Sequence, residues 1–237
     1  MSRREKLCQF LRPWLEFVGI DSLSWPGLNG LDRKLARHLP AHGGWFVEAG
    51  ANDGYQQSNT YHLARFQGWR GVLIEPEPHL ATACRRQRPE SQIYVCALGA
   101  PEQSGSTASL RFAGLMTGVC GALGDGTMEQ QRAEHGLRAQ GLPVKQRVFE
   151  APLRTLTEVL VESATPTCFD LLSLDVEGYE VEVLQGFDLD RHQARFICIE
   201  VRRAHLDQVK QMLTPKYDML EVLHEGPQQG DYLFRLR

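Results

Sequence analysis

Cysteine pairs at metal-binding spacing are missing from this chain. Its six cysteines, at positions 8, 84, 96, 120, 168 and 198, include no C-x-x-C pair, which argues against a zinc ribbon or dithiol redox centre and for buried, reduced thiols. No stretch comes near the roughly twenty consecutive apolar residues that cross a bilayer, so no transmembrane segment is expected. A basic surplus is absent too. With 26 Lys and Arg against 29 Asp and Glu, and a formal charge of −3, the chain carries no footprint for a phosphate backbone, and nucleic acid is not an expected partner. Residues Met1 to Gly19 start with Arg3, Arg4 and Lys6 but mix Gln9, Arg12, Pro13 and Glu16 into their apolar positions. They lack a signal-peptide core, and the expectation is a cytoplasmic protein. No internal repeat interrupts the sequence.

What is present suffices for one core. At 237 residues and 42% hydrophobic content, the chain can bury one catalytic-sized domain, expected at residues 41–237 behind a helical extension at 1–40. In that extension Leu7, Phe10, Leu11, Trp14, Leu15 and Val18 fall at helical spacing. Such a face is expected to pack on the domain or form a homodimer contact, with a membrane-surface contact as the other reading. Beyond it, short apolar runs predict strands at 45–47, 71–74, 93–95, 171–174 and 196–199, alternating with helices at 59–66, 80–86 and 180–184. This alternation predicts an α/β fold with a mostly parallel sheet covered by helices on both faces. Residues 218–223 and 231–235 read as a closing antiparallel pair joined by the loop at 225–230. Residues 99–150 break the pattern with many glycines, a strand at 110–112, a helix near 128–138 and a strand at 147–149. They are expected to be an insertion near the substrate mouth.

The chemistry gathers where apolar runs stop. Phe46-Val-Glu-Ala-Gly-Ala-Asn-Asp-Gly54 leaves a strand at Glu48 and enters a turn bracketed by Gly50 and Gly54. Such glycines permit close backbone approach to a nucleotide-like ligand, and Ser58 or Asn59 is expected to open the next helix. The third glycine of G-x-G-x-x-G is missing and Asp53 stands in the loop, which suits a ligand carrying an ammonium group rather than a pyrophosphate. Asp53 reads as a ligand contact, or as the turn former common in Asp-Gly. Glu75 follows 21 positions after Gly54, near the spacing at which an acid accepts ribose hydroxyls, with Pro76 and Pro78 stiffening its turn. Asp175 and Glu200 end the later strands. In open parallel sheets ligands bind beyond these carboxyl ends.

The ordered blocks Val47 to Gly54 with Ser58-Asn59-Thr60, Gly68-Trp-Arg-Gly-Val-Leu-Ile-Glu-Pro76, and Phe169-Asp-Leu-Leu-Ser-Leu-Asp-Val-Glu-Gly-Tyr-Glu180 resemble the FkbM family of S-adenosylmethionine-dependent methyltransferases. The resemblance implies a Rossmann-like class I methyltransferase fold with a seven-stranded, mostly parallel sheet and an antiparallel C-terminal strand. It also implies that Glu48, Gly50, Asn52, Asp53 and Gly54 surround the methionine part of the cofactor, that Glu75 holds the ribose, and that Cys96, Ala97 and Leu98 flank the adenine. Ser58, Pro76 and Asp175 belong to the same cofactor set. Near Leu153 to Leu160 many relatives read Thr-Leu-Asp where this chain has Thr157, which is still able to cap that helix.

Transfer of a methyl group to a hydroxyl calls for in-line approach and a base. Asp175 is the first candidate, with Glu177 and Glu200 on neighbouring loops. Close carboxylates either raise one another's proton affinity or share a divalent cation such as magnesium, with Asp175 and Glu200 as ligands. Tyr55, Tyr179, Arg202 and His205 are candidate acceptor contacts, with Arg203 beside them, whereas His62 reads as structural. The expected activity is O-methylation of a small hydroxylated molecule, a saccharide or an intermediate of natural-product biosynthesis. The alternatives are a nicotinamide-dependent oxidoreductase and a binding module that has lost its chemistry.

Overall fold

The computed structural model describes residues 3–122, 126–144 and 147–237, with the side chains of residues 3–9 and 128 outside the description. Leu7 and Cys8 therefore lie outside the described side chains. Along the chain, α1 (Arg3–Phe17) and the short α2 (Leu31–Leu35) precede β1 (Trp45–Ala49), α3 (Tyr61–Gln67), β2 (Arg70–Ile74), α4 (Pro78–Gln87), β3 (Gln92–Tyr94) and β4 (Ala97–Leu98). The middle stretch contributes β5 (Thr107–Phe112), β6 (Gly118–Val119), α5 (Gly126–Ala139) and β7 (Arg147–Arg154). Then come α6 (Leu156–Glu162), β8 (Cys168–Leu174), α7 (Glu180–Gln185), β9 (Gln193–Arg202), α8 (Leu206–Leu213), β10 (Tyr217–Glu225) and β11 (Gln229–Leu236).

The main sheet has seven strands in the order β10-β11-β9-β8-β1-β2-β3. Strands β3, β2, β1, β8 and β9 run parallel, and β11 is antiparallel to both its neighbours. This is the expected α/β architecture. The central strands are apolar at consecutive rather than alternate positions because both faces are covered. Phe46 and Val47 point to opposite sides and are each fully buried, in separate core clusters, with Leu171 and Leu73 on the side of Phe46 and Val72 and Leu172 on the side of Val47. Since parallel strands align their ends, β8, β1 and β2 deliver Asp175, Gly50 and Glu75 to one edge.

Strands between Ala97 and Arg154 form a second sheet, in the order β4-β7-β5-β6, so it reaches beyond the expected 99–150 at both ends. Its small core of Ala97, Ala108, Leu110, Ala151 and Leu153 anchors it beside β4.

Two helix starts differ from expectation. Helix α3 begins after Thr60, which makes no side-chain cap, because the Ser58, Asn59 and Thr60 groups are spent on Glu48. Helix α6 is capped by Thr155 rather than Thr157. Thr155 Oγ1 accepts from Glu158 N at 3.1 Å and Glu158 Oε2 accepts from Thr155 N at 2.9 Å, while Thr157 Oγ1 donates to Gly186 O and accepts from Asp188 N. Replacing Thr155 by alanine removes one half of this capping box. A loss of about 1 kcal/mol in urea unfolding is expected, and an unchanged midpoint would refute the role.

The cysteines split. Cys84, Cys96 and Cys198 are buried as expected, Cys120 is half-buried and Cys168 is exposed. His62 is structural: it stacks on Trp25 with ring centroids 3.5 Å apart and places Nε2 3.0 Å from Asp21 Oδ2.

The apolar face of α1 is not the packed one. Arg12, Leu15 and Glu16 turn toward the domain, whereas Phe10, Leu11, Trp14 and Val18 are exposed.

Candidate active site

The site begins where β1 runs out. Gly50 has φ of +85°, and a Cβ there would lie 1.8 Å from the Asp175 carbonyl oxygen, so only glycine lets the β1 and β8 loops cross. Gly50 N and Ala51 N both donate to Ile74 O, and Asp175 N donates to Ala49 O. Three strand ends are thereby stitched into one floor.

Glu75 pins the turn above that floor. Its Oε2 accepts from Asn52 N at 2.8 Å and its Oε1 from Glu77 N at 2.9 Å. Burial raises its pKa to about 8, with Glu77 and Asp53 adding to the rise, against the lowering effect of the two backbone donors. Glu48 is held differently. Its carboxylate accepts from Ser58 Oγ at 2.9 Å, Asn59 N at 2.8 Å and Thr60 Oγ1 at 2.6 Å, and the buried Arg88 guanidinium lies 3.9 Å away. Arg88 also donates to Gly54 O, Ser58 Oγ and Thr60 Oγ1. Below the glycine turn, then, sits a buried ion pair that ties α4 to the loop.

Asp175, Glu177 and Glu200 converge at the far end, with one carboxylate oxygen from each within 4.8 Å of the others. Glu177 takes φ of +59°, followed by Gly178 at +103°, and the turn is tied down by Glu180 Oε1, which accepts from Val176 N and Gly178 N. Arg132, on α5, pairs with Glu177 Oε2 at 2.5 Å. Asp175 Oδ1 is buried without a hydrogen-bond partner. Desolvation, then Glu200 and Glu177, hold the Asp175 pKa well above the usual carboxylate range. Glu200 is pushed to about 8 by desolvation and then by Glu177 and Asp231, its cross-strand neighbour on β11. Glu177 also rises through desolvation, against the pull of Arg132.

A cavity whose empty space, counted out through its open mouth, is about 890 Å³ joins these parts. Glu48, Gly50, Asn52, Glu75 and Pro76 line one end, Cys96, Ala97 and Leu98 one side, and Asp175, Glu177 and Tyr179 the other. Leu110, Leu115, Thr117 and Val119 of the 99–150 segment also line it.

The methyltransferase FkbM domain model matches residues 48–232. The chain belongs to the FkbM methyltransferase family. Solved structures similar to it include a TehB-like SAM-dependent methyltransferase from Corynebacterium glutamicum, at 12% identity over 98% of this chain and 97% of that one with a TM-score of 0.46. A human methyltransferase 10 domain containing protein is similar at 11% identity over 87% and 81%, TM-score 0.48. A precorrin-6y C5,15-methyltransferase from Geobacter metallireducens is similar at 11% over 92% and 96%, TM-score 0.45. No curated protein sequence matches the chain. This FkbM domain is a methyltransferase of the S-adenosylmethionine-dependent type, on a class I sheet order.

Several residues singled out in the sequence stand outside the cavity of the FkbM domain. Asp53 is the turn former: its Oδ1 accepts from Tyr55 N and Gln56 N, and its Oδ2 from Gln56 Nε2. Gly54 is required because a Cβ would come within 3.1 Å of Cys84 Cα on α4, at φ +81°. Ser58 is buried on Glu48. Tyr55 points away, its hydroxyl donating to Leu23 O at 2.6 Å under the Arg12 guanidinium. Arg202 lies behind Glu177, its pKa lowered by burial and by Arg132, and its Nε is buried without a partner. Neither it nor His205 lines the cavity, and Glu200 reaches the site only through its carboxylate cluster. Gln56, Gln57, Asn59 and Ser173 on the cavity wall, and Arg88 beneath it, are not among the expected site residues. Asn59 Nδ2 donates to Ser173 Oγ at 3.1 Å, leaving Asn59 Oδ1 buried and unpartnered. Both stand inside the family blocks, where an amide and a hydroxyl facing one strand end are a readable polar pair; Arg88 had no such signal.

Proposed function

We infer that this FkbM domain transfers a methyl group to a hydroxyl oxygen of a small molecule, with a saccharide or a natural-product intermediate as the acceptor class. The observation that carries the reading is Asp175 Oδ1, buried, unpartnered and raised in proton affinity on the wall of the cavity. A hydroxyl of ordinary acidity needs such a base in reach of its proton.

The residues present fit S-adenosylmethionine. Asn59 Oδ1 is an orphaned acceptor on the cavity wall, suited to a ligand bearing an ammonium group. Glu75 offers carboxylate oxygens to ribose hydroxyls, and Ala97 and Leu98 offer an apolar side for adenine. The cofactor supplies a sulfonium-borne methyl group. Asp175 takes the acceptor proton, Glu177 and Glu200 keep its proton affinity high, and Tyr179, fixed by Gln103 Nε2 at 2.6 Å, positions the acceptor beside it. The insertion excludes water from above.

Asp175, Glu177 and Glu200 bring carboxylate oxygens close enough to share either a proton or a divalent cation, with Arg132 paired to Glu177. Turnover that survives a chelator supports the proton, and turnover abolished by chelation and restored by magnesium supports the cation. The O-methyl reading itself is tested by supplying ¹³C-methyl cofactor with a panel of hydroxylated acceptors. A methoxy carbon resonance in the product is expected, and label on nitrogen or carbon alone would sink it.

A second expectation concerns pH. With Glu75 near 8 in the free protein, its carboxyl carries a proton at neutral pH, and ribose hydroxyls that donate to it must displace that proton. Affinity for S-adenosylhomocysteine therefore rises from pH 6 to about 8 and levels above, by up to about tenfold per pH unit. Calorimetry in buffers of different ionisation enthalpy reads the released proton, and a pH-independent affinity would remove the ribose role from Glu75.

A further inference from the structure

Helix α1 is mounted with its charged side inward. Arg12 lies 3.7 Å over the Tyr55 ring and donates to Gln87 Oε1 at 2.5 Å. Glu16 accepts from Ser24 Oγ at 2.7 Å, Tyr61 OH at 2.9 Å and Arg65 Nε at 2.9 Å, and is only 5% exposed at its side chain. The opposite face carries Phe10, Trp14 and Phe17, 70%, 69% and 82% exposed, one turn or less apart along the helix, with Val18 beside them. Three large aromatic side chains in a row on solvent are not the ordinary scatter of surface hydrophobics.

The flanks carry mostly one sign of charge. Arg3, Arg4 and Lys6 occupy the amino-terminal turns of the same helix, against Glu5. Arg85 and Arg86 are exposed on the last turn of α4 beside Gln87, the partner of Arg12, and Arg65 holds Glu16 while half in solvent. The acids at the carboxyl end face inward or are engaged: Glu16 as above, Asp21 with Trp25 Nε1 and His62 Nε2. An antiparallel copy of this helix would need those acids to meet its amino-terminal cations, and they are taken. Aromatic residues flanked by Lys and Arg match instead the boundary of an anionic bilayer, where indole and phenyl rings enter the headgroup layer and the cations meet lipid phosphates.

We propose that the aromatic face of α1 docks the protein on the surface of an anionic lipid membrane, without spanning it. No described helix is long and apolar enough to cross a membrane, so the contact is peripheral. It involves none of the cavity residues, and it stands whether or not the acceptor is a hydroxyl.

The test uses the full chain with vesicles of phosphatidylglycerol and phosphatidylcholine, and of phosphatidylcholine alone. The expected result is at least tenfold greater co-sedimentation with the anionic vesicles, reduced by 0.5 M salt, each cation near the surface contributing about fivefold. Tryptophan fluorescence is quenched by brominated lipid in the natural chain, and that quenching is lost in Trp14→Phe, which keeps the face apolar. A variant with Phe10→Ser, Trp14→Ser and Phe17→Ser loses partition at least tenfold while still binding S-adenosylhomocysteine. Should that variant fail to fold, the comparison of anionic with neutral vesicles decides alone. Equal partition to both vesicles, or to neither, overturns the proposal. So does a dimer in sedimentation equilibrium that the serine variant splits while vesicles bind neither form, which assigns the face to a second copy.

Discussion

Asp175→Asn is expected to lower turnover by about 10² to 10⁴ while leaving affinity for S-adenosylhomocysteine within a few-fold. The range is what a positioned base contributes, about 3 to 5 kcal/mol of barrier. Asparagine keeps the shape and the backbone bond from residue 175 to Ala49 O, so the floor under the cofactor is undisturbed and only proton acceptance is lost. The pH profile supplies a second readout. Desolvation and the neighbouring Glu200 and Glu177 raise the Asp175 pKa well above its usual range, and a base works only when ionised. Turnover therefore falls as pH drops through that raised value, and the acid limb lies well above the range of an ordinary aspartate. Because Glu200 and Glu177 both act on the Asp175 carboxyl, the limb belongs to the cluster rather than to one residue. Unchanged turnover in the asparagine variant removes Asp175 from the chemistry even where cofactor binding survives.

The second large effect is on stability. Replacing Arg88 by methionine leaves the Glu48 carboxylate buried opposite an apolar chain, and the expected loss is about 3 to 5 kcal/mol, the usual result of removing one member of a buried pair. Both side chains are nearly inaccessible, at 2% and 5%, so solvent does little to screen the change. Gly54 O also loses its Arg88 donor, and the Thr60 hydroxyl loses one partner while keeping Glu48. The glycine turn is thus expected to loosen and cofactor affinity to fall alongside stability. Combining Arg88→Met with Glu48→Gln relieves the stranded charge, and the double variant recovers part of the loss. Urea unfolding of the four proteins gives the coupling directly. A single-variant loss below about 1 kcal/mol is inconsistent with the ion pair as a support of the loop.

Strand positions were legible because their signal is local. Val47, Val72 and Leu172 belong to apolar runs that make sense only inside a sheet covered on both faces, and Glu48, Glu75, Asp175 and Glu200 stood out because each closes such a run. Gly50 was legible for the same reason, a turn directly after a strand. Roles were much less so. Asp53 and Glu75 are both acids near the glycine turn, yet one folds back on the amides of Tyr55 and Gln56 while the other faces the cavity. Tyr55 and Tyr179 each follow a loop, and only Tyr179 lines the pocket. Arg88 was not legible because its partner Glu48 is forty positions away in the chain, and Arg132 because its partner Glu177 is forty-five positions away.

The amino-acid sequence by itself determined the parallel α/β sheet, the family, and the edge at which the chemistry gathers. Hydrophobic period and the residue that ends each strand are properties of neighbouring positions. Which acids stay open and which are consumed, how residues 99–150 pair into a second sheet, and which side of α1 meets solvent were decided only by the tertiary structure. Those outcomes depend on hydrogen-bond and ion-pair partners far apart in the chain, and on burial, which sets whether a carboxylate is a support, a proton acceptor or a surface charge.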